Sequence, residues 1–283
     1  MNPKNIRILV QSLVMVWGLV LLTPLAAGAQ QEVSADGPGA VRWFGLLTED
    51  AAAARAFYAD LFGWQTERTS SGGYVAISKG QPMAGITQIG RSVPEVNEST
   101  WLVGVVVSDL RESVAAARRL GAQVLRDVSR TEGFAQWAVI EDPQGAQVLL
   151  MVPERPLGGV QGPGNWVWAE LWTTDLEASF RFYSQVIGWE YVELDRPHGA
   201  YPTFQSAGQP RAGLVQINPA EMESGWAPYI GVADLPATLA RAKELGGEVL
   251  LEPAENIYEG RLAILADPTG VSFLVIQLEE EAL

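Results

Sequence analysis

The 283-residue chain has no cysteine and a single histidine, His198. The first absence removes disulfides, thiolate nucleophiles and zinc–sulfur sites. With no cysteine there is no cysteine–histidine pair, and one histidine makes no cluster for a transition metal. His198 lies in the loop sequence Asp195-Arg-Pro-His-Gly and reads as an exposed loop residue. Basic side chains are also few, 19 Lys and Arg against 33 Asp and Glu, for a net charge of −14. A chain so charged has no electrostatic reason to bind nucleic acid or anionic lipid. Gly158-Gly159 falls between Pro-rich pieces rather than between a strand and a helix, which excludes a phosphate loop there.

Long apolar runs are equally rare. One stands out, Ile8 to Leu22, preceded by Lys4 and Arg7 and followed by Ala27-Gly28-Ala29. Basic start, apolar run and small-x-small site describe a secretory signal peptide over residues 1–29, cleaved after Ala29. The run is short for a bilayer span, so no stable membrane anchor is expected after cleavage. The mature chain is then 254 residues (283 minus 29) with charge −16, and its expected location is periplasmic or secreted. That length suits two domains of ordinary size. Residues 30–40 are a polar lead-in, and 279–283 an acidic tail around Glu279-Glu280-Glu281.

What the chain does have is tryptophan, ten in all. Trp166 to Trp189 opens as a strand whose period of two puts Trp166, Trp168, Glu170 and Trp172 on one face. It continues as a helix. Thr174 and Glu177 have capping-box spacing, Asp175 can also cap, and Leu176, Phe180, Tyr183 and Ile187 recur at helical spacing before Gly188. The same unit occurs 125 residues earlier: Phe57 to Phe182, Gly63 to Gly188, Trp64 to Trp189. Asp109-Leu110, Leu120-Gly121 and Asp142-Pro143-x-Gly145 match Asp234-Leu235, Leu245-Gly246 and Asp267-Pro268-x-Gly270 at the same distance. One segment, Gly80-Gln81-Pro82 against Gly208-Gln209-Pro210, is offset by 128. A period this long is that of a whole domain.

Within each repeat the pattern is strand, helix, three strands, twice over. In the first, strands are expected near 41–48, 64–69, 73–79 and 83–89 with a helix near 50–62. A strand at Trp101–Val107, a helix at Leu110–Leu120 and strands near 123–129, 135–141 and 146–152 then follow. This gives domains at 41–152 and 166–278 joined by the Pro/Gly-rich linker 153–165. Helices followed by runs of three strands argue against a doubly wound parallel sheet. They predict an α+β fold: curved mixed sheets with helices on one outer face and free faces forming a cup.

The pattern Thr173-x-Asp175, Phe182-Tyr183, Gly188-Trp189, then Val232-Ala-Asp-Leu, Leu245-Gly-Gly and Gly260-Arg-x-Ala before Asp267-Pro-x-Gly270, resembles the vicinal oxygen chelate superfamily. That group includes glyoxalase I, bleomycin-resistance proteins and extradiol dioxygenases. The resemblance covers about residues 41–278 and implies paired βαβββ modules. It also implies a divalent metal held by His, Glu or Gln on the first and last strands of modules. Here those positions carry Trp43, Leu102, Trp168, Ala227, Leu149 and Leu274, so no metal and no cofactor is expected. Gln88 and Gln216, near the ends of the opening halves, are the neutral ligand candidates, and two amides alone bind metals poorly.

The remaining candidate is Glu170, a carboxylate between Trp168 and Trp172 on the face expected to line the second cup. Its repeat counterpart is Gly45, so the cups differ chemically. Tyr229 and Arg261 fall at positions where they can point toward Glu170 and balance or hydrogen-bond it. Trp43, Trp137, Trp168 and Trp172 are candidates to wall an apolar pocket. The expected ligand-binding set is therefore Trp168, Glu170, Trp172, Tyr229, Arg261 and Trp43, with no catalytic residue assigned. The implied partner is a small amphipathic or aromatic molecule bound without a metal, and an oligomer is compatible with the composition. Two alternatives stand beside this reading: a lyase or dioxygenase with atypical metal ligands, and an envelope interaction protein whose cups are filled by side chains.

Overall fold

A computed structural model describes residues 37–70, 72–89, 96, 98–158, 162–196 and 199–279. The expected signal peptide, His198 and the last four residues of the acidic tail lie outside the described residues. Among those described, no helix is long and apolar enough to cross a membrane.

The first repeat runs β1 (Val41–Thr48), α1 (Ala51–Phe62), β2 (Gln65–Arg68), β3 (Tyr74–Ser78) and β4 (Gln81–Gln88). It continues with β5 (Thr100–Val106), α2 (Leu110–Arg119), β6 (Gln123–Thr131), β7 (Ala135–Glu141) and β8 (Gln147–Pro153). The second repeats this as β9 (Trp166–Thr173), α3 (Leu176–Val186), β10 (Glu190–Arg196), β11 (Gly199–Ser206) and β12 (Gln209–Gln216). Its closing half is β13 (Gly225–Val232), α4 (Leu235–Glu244), β14 (Glu248–Leu251), β15 (Leu262–Ala266) and β16 (Ser272–Gln277), with a short 3-10 turn at Tyr258–Gly260 before β15.

Each repeat forms one eight-stranded sheet, in the orders β2-β3-β4-β1-β5-β8-β7-β6 and β10-β11-β12-β9-β13-β16-β15-β14. The two half-units of a repeat are joined edge to edge through their first strands, antiparallel between β1 and β5 and between β9 and β13. The first strand of each half also pairs in parallel with that half's last strand, as β9 does with β12. The sheets are thus mixed, as expected, and each cup is the free face of one continuous sheet.

The four α-helices among the described residues start at an aspartate, Asp50, Asp109, Asp175 and Asp234, whose carboxylate accepts from a backbone N–H two or three residues on. Asp175, rather than Thr174, caps α3, and Thr174 turns its hydroxyl to Gln144 instead. Trp166 departs from the expected alternation. The register between β9 and β13 slips between the pairs Tyr229–Trp168 and Ile230–Trp166. This bulge turns Trp166 to the opposite face, where it stacks on Phe44 with ring centroids 4.2 Å apart.

The helix-bearing faces of both sheets share one apolar core, while the free faces carry two separate clusters. Helix α1 packs against α4, and α2 against α3. The contacts obey the repeat. Trp64 donates its indole N–H to the Gly164 carbonyl at 2.7 Å, and Trp189 does the same to Gly39 at 2.9 Å. Trp101 donates to Tyr58 and Trp226 to Tyr183 at 3.2 and 3.3 Å. Tyr183 in turn donates to the Asp142 carboxylate across the interface at 3.0 Å. Tyr58 faces Asp267 in the mirrored place, and burial followed by that charge raises its pKa well above the usual phenol range. With the helix faces locked together, the two cups are left on the outer sides.

Candidate functional site

The second cup is built on β9. Alternation places Trp168, Glu170 and Trp172 on its free face, and Trp172 and Glu170 are both buried, at 4% and 2% exposure. Four neutral donors surround the Glu170 carboxylate. Tyr201 on β11 donates to Oε1 at 2.6 Å, and Tyr258 from the 3-10 turn approaches the same oxygen at 3.3 Å. Tyr229 on β13 donates to Oε2 at 2.5 Å, joined by the Trp172 indole N–H at 3.1 Å. Trp168 stands half-buried at the edge and donates to the Tyr201 hydroxyl at 2.9 Å. A carboxylate offers about four acceptor sites, and all are engaged. Burial first, then the neighbouring Glu170 charge, raise the pKa values of Tyr201 and Tyr229 well above the usual phenol range. Both hydroxyls therefore stay protonated and act as donors.

Arg261 does not join this group. Its guanidinium pairs with Glu279 at 3.0 Å and Glu259 at 3.7 Å, at the end of β16 and in the turn before β15. The expectation that it balances Glu170 is corrected: the charge is met by hydroxyl and indole donors, and among the described residues no basic side chain bridges it. Tyr229 stands where the spacing put it. Tyr201 and Tyr258 were missed by the sequence reading. Their signal lay in the repeat, because the positions equivalent to Glu170, Tyr201, Tyr229 and Tyr258 hold Gly45, Gly73, Gly104 and Gly133.

Those glycines shape the first cup differently. Trp43, the equivalent of Trp168, lies down over the sheet at Gly104 and at Gly85 on the neighbouring strand. A Cβ added at Gly85 would sit 3.2 Å from its ring and one at Gly104 only 2.7 Å from its Cβ. Trp43 also packs on Phe134 with centroids 4.6 Å apart and is buried in one apolar cluster with Val96 and Leu157. In the second cup Gly213, equivalent to Gly85, serves Tyr201 instead, since a Cβ there would fall 1.9 Å from the tyrosine hydroxyl. One sheet position is kept free of a side chain in both repeats so that an aromatic can cross it. Trp137 lies at the margin of the first cup and donates to the Thr131 hydroxyl at 3.0 Å.

The metal expected of the superfamily does not fit these side chains. Trp43, Leu102 and Leu149 belong to the apolar cluster of the first cup; Ala227 and Leu274 belong to that of the second, with Trp168 packed against it. None of these offers a ligating lone pair. Gln88 and Gln216 are engaged at helix starts. Gln88 accepts from Ala51 N and donates to the Glu49 carbonyl, while Gln216 accepts from Leu176 N at 3.4 Å and donates to the Thr174 carbonyl at 2.6 Å. Among the described residues, no three His, Cys, Asp or Glu side chains converge on one point.

Comparison with known proteins fits this architecture. The family described as glyoxalase-like domain matches residues 43–151 and again 167–276. CFP32 of Mycobacterium tuberculosis, provisionally named a glyoxylase, is 31% identical over 84% of this chain and 95% of its own. The anthracycline biosynthesis protein DnrV of Streptomyces peucetius is 30% identical over 86% of this chain and 94% of its own. Among solved structures, the 2,3-dioxygenase LapB from Pseudomonas sp. KL28 superposes with a TM-score of 0.61 at 11% identity, covering 86% of this chain and 93% of that one. The Mn(II)-bound glyoxalase from Novosphingobium aromaticivorans gives 0.58 at 16% identity, covering 85% and 82%. The chain belongs to the glyoxalase-like family of the vicinal oxygen chelate superfamily, with two tandem domains of that fold.

Proposed function

We propose that this protein is an exported binder of a small amphipathic or aromatic molecule, which it holds in the second-domain cup without a metal. The observation that carries the reading is the Glu170 cluster. A carboxylate with three tyrosines and a tryptophan around it occurs in one repeat, while the other keeps the same fold with glycines at four of those places. The fold therefore does not require the cluster, and buried charges that a fold does not require concentrate at functional sites. Apolar residues at the superfamily's ligand positions argue for binding over metal chemistry. The names of the relatives DauV and DnrV, anthracycline biosynthesis proteins, agree with a small organic ligand.

The reading with filled cups has one observation in its favour, the deep burial of Glu170, Tyr201 and Tyr229. A screen separates the two. Purified protein, dialysed against chelator and subjected to elemental analysis, is titrated with a library of amphipathic aromatic compounds while its melting temperature is followed. Binding to the folded state alone must raise that temperature. We expect compounds that do so in protein free of stoichiometric metal. A stoichiometric divalent metal that survives dialysis would return the enzyme reading to first place. A library without a single stabilising compound would favour the filled cup.

A further inference from the structure

Resting on the ligand site in the second cup, the structure leads further, to the chemistry of the ligand's head group. We propose that the cup receives an organic ammonium group, which takes the place of the Tyr258 hydroxyl at Glu170 Oε1. Glu170 is 2% exposed, yet all four of its partners are neutral, so its carboxylate lies under the cup with no protein cation bridging it among the described residues. A buried carboxylate of this kind favours a cation over any other visitor. Trp168 and Trp172 stand beside it as apolar walls, their indole N–H edges turned to Tyr201 and to Glu170 itself. An anionic head group meets the opposite field, from Glu170 locally and from a chain of net charge −14 as a whole.

Tyr258 is the member best placed to yield. Its contact at 3.3 Å is the longest of the four, and its side chain is only half-buried where Tyr201 and Tyr229 are closed off. It sits on the 3-10 turn with Glu259, and both residues have positive φ, 49° and 55°. Two consecutive non-glycine residues in the left-handed region store strain that a moved turn releases. The equivalent of Tyr258 in the first repeat, by the 125-residue offset, is Gly133, with φ 71°, a conformation that glycine adopts without strain. Tyr201 and Tyr229 remain on the carboxylate and hold it in place while the fourth acceptor position changes hands.

The test compares three ligands with one ring and three head groups, phenethylammonium, phenethyl alcohol and phenylpropionate, by calorimetric titration of the purified protein. The ammonium compound is expected to bind about tenfold or more tighter than the alcohol, and the carboxylate not measurably. Glu170→Gln, checked for folding by circular dichroism, should erase the preference for the cation. Tyr258→Phe, which removes the competing hydroxyl, should tighten ammonium binding. Equal affinity for ammonium and alcohol, an unchanged preference in Glu170→Gln, or no binding by any of the three overturns the ammonium proposal. The wider reading of a ligand cup is judged separately, by the compound library, because neutral ligands that lose affinity in Glu170→Gln would support the cup while refuting the cation.

Discussion

A buried carboxylate without a neighbouring cation depends on the number and aim of its neutral donors. At Glu170 these are unequal. Tyr229 gives a buried hydrogen bond of 2.5 Å to the charged group, whereas Tyr258 gives a half-buried one of 3.3 Å. Hydrogen bonds to charged groups contribute about 1.5–3 kcal/mol each. Tyr229→Phe should therefore cost about 2 kcal/mol of stability and Tyr258→Phe under about 1 kcal/mol. Glu170→Leu should cost more than about 3 kcal/mol, because it leaves the tyrosine hydroxyls without their shared acceptor. Urea denaturation of the three variants checks the order, and equal costs for the two tyrosine variants would contradict the geometry. Gly213→Ala makes the same point from the backbone side. Its new methyl would overlap Tyr201, and the loss should match or exceed that of Tyr201→Phe.

At the scale of single elements, the helix ends are the features most open to direct test. Gly63 and Gly188 end α1 and α3 at φ 72° and 87°, with nothing within 4 Å of an added Cβ at either. Alanine at each should cost about 1 kcal/mol purely through the left-handed backbone, read as a shift in melting temperature with unchanged ligand response. These ends were legible in the sequence because capping and termination are local chemistry: an aspartate before the helix, a glycine after it. The strand spans were legible for a similar reason, a period of two reinforced by its repetition 125 residues later. Trp166 was not, since a bulge depends on how β9 meets β13 and leaves no mark on the alternation of β9 itself. Arg261 was misplaced because position on a strand tells which face a side chain leaves, but a long side chain then goes to the nearest opposite charge, here Glu279 and Glu259. Tyr201 and Tyr258 come from distant segments and carry no periodic signal. Only the alignment of the repeats, with tyrosine against glycine, marks them.

Over the whole molecule, the two sheets meet through buried groups that titrate. Burial raises the carboxyl pKa values of Asp142 and Asp267 above the ordinary range, against the lowering effect of their hydrogen bonds. A folded-state pKa above the unfolded one means that the folded protein holds the proton more tightly. The corresponding stability is complete below about pH 4, the unfolded aspartate value, and is lost as pH rises through the raised folded pKa. Asp142→Asn should therefore flatten the fall in urea midpoint over that rise relative to the parent, and parallel profiles would contradict the assignment. Export is tested at this scale as well. N-terminal sequencing of protein recovered from the periplasmic or secreted fraction should begin at Gln30, and intact Met1 in the soluble cytosolic fraction would refute it.

The second cup, through Glu170 and without a metal, is proposed as the place where a small molecule binds. The most direct measurement is the ligand-induced rise in melting temperature of chelator-treated protein, taken side by side for the parent, Glu170→Gln and Trp43→Phe in the first cup. A rise is expected in the parent and in Trp43→Phe, and its loss in Glu170→Gln. A rise that appears only after a divalent metal is restored, or one that survives in Glu170→Gln and vanishes in Trp43→Phe, would contradict the proposal.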